Sequence, residues 1–167
     1  DDLLRRLQAE HRADTPEEAY RRHLDGPFRF CRERLGLRIE RCYSSVYDLS
    51  PEKVGGGGFD LVYAGDILMH LFSPFRALDV LSGLCRGSLV TTIETPFPFH
   101  DDQPLILFRG LINGEEGRTW WMPSRGGVEQ MLRRLGFASV GVAGSYSGIA
   151  RRAWFPYTRD VIRATRA

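Results

Sequence analysis

Two short polar stretches of this chain stand where chemistry could be done. Ser45-Val46-Tyr47-Asp48 and Ala64-Gly65-Asp66 each follow apolar residues, so each places a carboxylate just past a candidate strand. In an open α/β sheet, ligands bind outside the carboxyl ends of the strands. His70 follows Asp66 by four residues, and its imidazole changes charge near neutral pH, which makes Asp66 and His70 candidate catalytic proton acceptors. Plainer readings stand beside these: carboxylates that cap turns, and a structural imidazole in an apolar loop. Asp25 lies in Asp25-Gly26-Pro27, where turn chemistry is the competing explanation. Trp120 and Trp121 could wall an acceptor site or simply pack at the start of a helix. His100, Asp101 and Asp102 bring metal-ligand types together, but two adjacent aspartates do not readily converge on one ion; they read as a solvated loop, and no metal is expected. The Gly55–Gly58 run lacks the Lys-Ser/Thr ending of a phosphate-binding loop and precedes a strand.

The elements that would position these residues alternate along the chain. Leu3, Leu4 and Leu7 form a short helical stripe, and Thr15-Pro16-Glu17-Glu18 is a capping box opening a helix towards His23. Asp25-Gly26-Pro27 should break that helix, with another from Phe28 to Leu35 stopped at Gly36. Ile39 to Tyr47 reads as a strand ending at Asp48, and Ser50-Pro51-Glu52 as a single helical turn. Phe59–Ala64 is a second strand, and Ser73-Pro74 caps a helix with Phe75, Leu78, Leu81 and Leu84 at helical spacing. The β-branched run Ser88–Glu94 completes a βαβ unit, hence a parallel pair. Thr95 to Pro123 reads as irregular. Ser124 then caps a helix closed by Gly136, and Phe137–Val142 with Ala150–Tyr157 form an antiparallel pair.

Composition sets the limits. The chain has 167 residues, 43% hydrophobic and 26% charged, enough to bury a core. Net charge is +2, and 22 of the 23 basic residues are Arg, Lys53 being the exception. That balance gives no electrostatic case for nucleic acid or a membrane surface. No run approaches the ~20 apolar residues of a membrane span. Cys31, Cys42 and Cys85 are odd in number and form no CxxC, which suits a reducing, cytoplasmic setting.

The order Ser45-Val-Tyr-Asp-Leu-Ser-Pro-Glu52, Phe59-Asp-Leu-Val-Tyr-Ala-Gly-Asp-Ile-Leu-Met-His-Leu71, Ser73-Pro74 and Leu89-Val-Thr-Thr-Ile-Glu94 resembles class I S-adenosylmethionine-dependent methyltransferases. Trp120-Trp-Met-Pro-Ser124 and Leu135-Gly136-Phe137 extend the resemblance, which covers about Asp25 to Phe155. It implies a Rossmann-like α/β fold: a mostly parallel sheet, an antiparallel C-terminal pair and helices on both faces. It implies S-adenosylmethionine as cofactor, with Asp48 reading the adenine amino group and Val46 and Tyr47 bordering the ring. Ala64, Gly65 and Asp66 match the turn beside the methionine part, and Asp25 the acidic residue that holds the ribose hydroxyls.

One part of the family pattern is missing. The opening strand, Gly-rich turn, helix and second strand, about 30 residues, have no counterpart between Glu18 and Phe28. The expectation is therefore an N-terminal helical cap over residues 1–23, serving as a lid or a homodimer contact. A methyltransferase-like domain over 24–167 follows, lacking that first unit through an omitted internal segment. The expected activity is in-line methyl transfer to a small-molecule acceptor. The alternatives are a non-catalytic binding or assembly module and, more weakly, a nucleotide-binding oxidoreductase.

Overall fold

Thr15 begins a helix as its residue types suggest. Its Oγ1 accepts from the Glu18 N–H at 3.1 Å, while the Glu18 carboxylate takes the Asp14 N–H at 2.9 Å, so the reciprocal arm of the capping box lands one residue early. A computed structural model describes residues 9, 14–109, 111–112, 115–116, 119–150 and 155–167; the Leu3, Leu4 and Leu7 stripe lies outside them. Helix α1 (Pro16–Tyr20) does not stop at Asp25-Gly26-Pro27. It passes through a π turn over Arg21–Asp25 into α2 (Gly26–Arg34). Proline lacks an N–H and crowds the carbonyl one turn back. The wider turn, in which the Gly26 N–H bonds the Arg21 carbonyl, accommodates Pro27 in the first turn of α2. The helix ends at Gly36, φ +61°.

The chain divides into two compact units, residues 1–42 and 43–167, where the sequence reading placed a boundary at 23/24. The strand expected over Ile39–Tyr47 is not formed. Residues 37–43 are irregular, and Val46–Asp48 is a 3₁₀ turn. A strand needs a neighbour to satisfy its backbone groups, and no described strand pairs with this stretch.

The second unit is built on a four-stranded sheet in the order β1-β2-β8-β7, formed by β1 (Phe59–Ala64), β2 (Cys85–Thr95), β7 (Ser139–Ala150) and β8 (Phe155–Thr165). Helix α3 (Pro74–Leu84) connects β1 to β2, which pair in parallel as the βαβ pattern requires. Strands β7 and β8 are the expected antiparallel pair, longer than anticipated, and β8 joins β2 antiparallel. The α/β reading holds, with one parallel pair where a parallel majority was expected. Among the described residues no strand precedes β1, and its outer edge is unpaired. Within the segment read as irregular, β3 (Ile106–Phe108) pairs with β6 (Trp121–Pro123), and β4 (Leu111–Ile112) with β5 (Glu115–Glu116).

Alternation decides what each face does. Val62, Leu89, Ile93, Ile162 and Ala164 point to one face and are buried against α3 and α4 (Arg125–Arg134) through Leu78, Val128 and Leu132. On the opposite face Leu61 and Tyr63 are 61% and 66% exposed. A bulge between Val142 and Gly144 shifts the β7 register by one residue. Past it, Tyr146 stands opposite Arg159.

Two side chains hold the helix ends. Arg166 donates to the carbonyls of Leu135 and Ser82, both at 2.7 Å, and its guanidinium lies 4.3 Å from the centre of the Phe137 ring. One cation thereby satisfies the C-terminal carbonyls of two helices. Ser124, fully buried, caps α4 as expected: Oγ accepts from the N–H groups of Gly127 and Leu105, each at 3.0 Å, and donates to the Gln103 carbonyl at 2.5 Å. Ser124→Ala removes the cap from the Gly127 N–H, while the Leu105 N–H keeps its bond to the Gln103 carbonyl at 2.8 Å. An expected loss of about 1 kcal/mol is readable by chemical denaturation. Among the described residues no helix is long and apolar enough to cross a membrane.

Candidate functional site

The turn that leaves β1 is held by side chains from two other strands. Asp66 has φ +50°, rare for a residue with a side chain, and three bonds keep it there. Its N–H donates to Thr92 Oγ1 at 2.7 Å, the Thr92 hydroxyl donates back to Asp66 Oδ1 at 3.0 Å, and Arg159 Nε donates to the same oxygen at 2.8 Å. Oδ1 is thus committed twice, Oδ2 makes no hydrogen bond among the described residues, and the side chain is 42% exposed. Thr91, one residue along β2, fixes the strand beneath by donating to the Ala64 carbonyl at 2.9 Å. At Gly65 between them a Cβ would meet the Tyr63 phenol, so a side chain there requires that ring to move.

Tyr146 of β7 completes this corner. Partial burial raises its phenol above the ordinary value, with the charges of Asp66 and Tyr63 adding to the shift and Arg159 opposing it. The phenol therefore remains protonated through neutral pH. Arg159→Gln removes the opposing cation, so the Tyr146 titration should move higher still. An NMR titration of the ring carbon next to the hydroxyl reads that shift; no movement would break the assignment of Arg159 as the neighbour.

The sequence-derived residues fall into four places. Val46, Tyr47 and Asp48 share the 3₁₀ turn. There the Tyr47 hydroxyl accepts the Ser73 N–H at 2.9 Å and Arg76 lies 5.7 Å from its ring centre, fixing the turn to the start of α3. Ser73 thus uses its N–H there, and makes no side-chain cap. The Asp48 side chain is exposed and makes no hydrogen bond among the described residues. Ala64, Gly65 and Asp66 form the β1 turn. His70 ends the 3₁₀ turn Leu68–His70, its ring exposed and its N–H bonded to the Ile67 carbonyl at 3.0 Å. Asp25 lies in the first unit, accepting from Arg41 at 3.0 Å while Arg41 covers the Phe28 ring at 4.5 Å. That carboxylate is engaged in a local ion pair.

The tryptophans serve as ties. The Trp120 N–H bonds the Met69 carbonyl at 2.8 Å, and Trp121 Nε1 bonds the Phe72 carbonyl at 2.9 Å, so both anchor β6 to the loop after β1. Asp101 accepts the Arg125 N–H at 2.8 Å at the start of α4. Among the described residues no group of three His, Cys, Asp or Glu could hold a metal ion.

Sequence reasoning missed Thr92, Arg159 and Tyr146, which stand 26, 93 and 80 residues from Asp66; no local spacing could link them. It also missed a cavity of about 380 Å³ where β2 and β8 emerge, lined by Glu94, Pro96, Arg109, Met122 and Tyr157 among others.

Known proteins place the fold. No family model matches the chain. A tRNA U34 carboxymethyltransferase from Idiomarina loihiensis is 29% identical over 84 residues, half of this chain and 26% of that protein. Among solved structures, the N-terminal domain of EvdMO1, determined in the presence of SAH and D-fucose, aligns with TM-score 0.57 and 16% identity over 90% of this chain and 63% of its own. Magnesium protoporphyrin IX methyltransferase from Synechocystis PCC 6803, with bound SAM, aligns with TM-score 0.53 and 14% identity over 86% and 54%. A 1,6-didemethyltoxoflavin-N1-methyltransferase from Burkholderia thailandensis, with bound 1,6-didemethyltoxoflavin and S-adenosylhomocysteine, gives 0.53 and 15% over 83% and 56%. The chain thus spans about a quarter of that relative and a little over half of these structures. The likeness shows the fold: this chain carries the Rossmann-like α/β fold of class I S-adenosylmethionine-dependent methyltransferases.

Proposed function

We propose that the chain is part of an S-adenosylmethionine-dependent methyltransferase acting on a small-molecule acceptor. The observation that carries this reading is the β1 turn. Gly65 and Asp66 stand at a strand end, pinned by Thr92 and Arg159 in a conformation that would otherwise relax, on a fold whose solved neighbours hold this cofactor. The residues present fit part of the group. Asp48 offers an exposed acceptor beside half-buried Val46 and Tyr47, suited to an adenine amino group. Close approach at Gly65 requires the Tyr63 ring to swing away.

The cofactor supplies a sulfonium methyl for in-line attack by an acceptor O, N or C. The chain positions the acceptor and excludes water. Proton acceptance falls to Asp66 Oδ2, the oxygen left open by Thr92 and Arg159, or to the exposed His70 imidazole. A cytoplasmic setting and a homodimer contact through the first helices belong to the same reading.

Two observations favour a second reading. The outer edge of β1, unpaired among the described residues, and the Tyr63 ring over Gly65 suit a module that kept the fold and lost the cofactor pocket. Titration calorimetry with S-adenosylhomocysteine separates them. Micromolar binding supports the enzyme; no heat from the chain at millimolar ligand supports the module.

A further inference from the structure

The cavity at the ends of β2 and β8 has a chemical character of its own. Pro96, Pro98, Met122, Phe155 and Tyr157 give it apolar walls, and its 380 Å³ suits one aromatic ring with a short substituent. Two arginines reach it, and they differ in what they have left to give. Arg159 donates Nε to Asp66 at 2.8 Å and Nη1 to the Thr158 carbonyl at 3.1 Å. Arg109 uses only Nη2, towards Glu94 Oε1 at 3.4 Å and the Met122 sulfur at 3.3 Å. Among the described residues its Nε and Nη1 donate to nothing. A thioether is a weak acceptor, so a planar anion would displace it and form a two-point bond with this fork.

We infer that this cavity takes the acceptor, and that the acceptor is a single-ring aromatic carboxylate seated on Arg109, with the ring between the apolar walls. Glu94 argues for a carboxylate over a phosphate. It holds the Arg109 guanidinium in place, and its own charge beside the site opposes a dianion more than a monoanion. The inference rests on the methyltransferase reading only for the word acceptor; the anion site stands on Arg109 itself.

The test compares 4-hydroxybenzoate with its uncharged analogue 4-hydroxybenzamide by calorimetry on the 167-residue chain, with S-adenosylhomocysteine titrated separately. The acid should bind at least roughly tenfold more tightly than the amide. Arg109→Gln should abolish that preference while keeping S-adenosylhomocysteine binding, and Arg109→Lys should keep part of it. Equal binding of acid and amide overturns the inference. So does a preference unchanged in a folded Arg109→Gln protein, or no binding of the acid by a chain that binds S-adenosylhomocysteine. Acid binding through Arg109 without S-adenosylhomocysteine binding upholds the anion site and overturns the methyltransferase reading. Failure of both ligands overturns both.

Discussion

Asp48→Ala is expected to weaken S-adenosylhomocysteine binding by about ten- to a hundredfold, the worth of one hydrogen bond to a charged group, roughly 1.5–3 kcal/mol. The turn that carries Asp48 is held by other groups: the Ser45 Oγ takes the Tyr47 N–H at 3.3 Å, the Ser45 carbonyl takes the Asp48 N–H at 3.0 Å, and Tyr47 is tied to Ser73. The carboxylate itself makes no hydrogen bond among the described residues, so its removal should leave stability within about 0.5 kcal/mol. Affinity and folding are therefore separable at this position. Asp48→Asn keeps an acceptor oxygen and should retain most of the binding. Calorimetry on the three proteins decides. Unchanged affinity in Asp48→Ala would remove Asp48 from the cofactor site.

The second large effect is on stability. Gly126→Ala should cost about 2–3 kcal/mol, although alanine is the better helix former by about 1 kcal/mol. A Cβ on Gly126 would fall on the carbonyl oxygen of Asp102, with the Gln103 carbonyl carbon at 2.9 Å. That backbone cannot step aside. The Gln103 carbonyl is held by Ser124 Oγ, the Asp101 carboxylate by the Arg125 N–H, and the Asp101 carbonyl by the Gly126 N–H at 2.8 Å. Urea denaturation should show a lower midpoint with unchanged slope. A gain in stability would mean the loop before α4 is looser than its bonds indicate.

What could be read from the residues alone was local. The caps at Thr15 and Ser124, the βαβ unit from Phe59 to Thr95 and the antiparallel end of the chain follow from nearest-neighbour chemistry. So does the placing of Asp66 at a strand end. Two errors have different causes. Ile39–Tyr47 has strand-like composition, yet a strand forms only when a neighbour completes its ladder. Asp25-Gly26-Pro27 carries every mark of a break, yet a helix can absorb a proline by widening one turn. The site suffered the same limit. Asp66 was visible, but the bonds that define it come from Thr92 and Arg159, joined to it only by the pairing of β1, β2 and β8. Arg109 was invisible as a site residue because an arginine in an irregular segment has no pattern around it.

The bulge in β7 shows how much one residue can decide. Before it, Val142 stands opposite Ile162; after it, Tyr146 stands opposite Arg159. Carried on from Val142 as a plain ladder, the same residues would set Ala143 opposite Val161 and turn every following side chain over. Ser145 would then lie opposite Arg159, and Tyr146 would move to the other side of the sheet, opposite Thr158. The bulge at Ala143 is therefore a matter of phase: the one residue without a partner keeps the only β7 phenol in the corner where Asp66 and Arg159 meet.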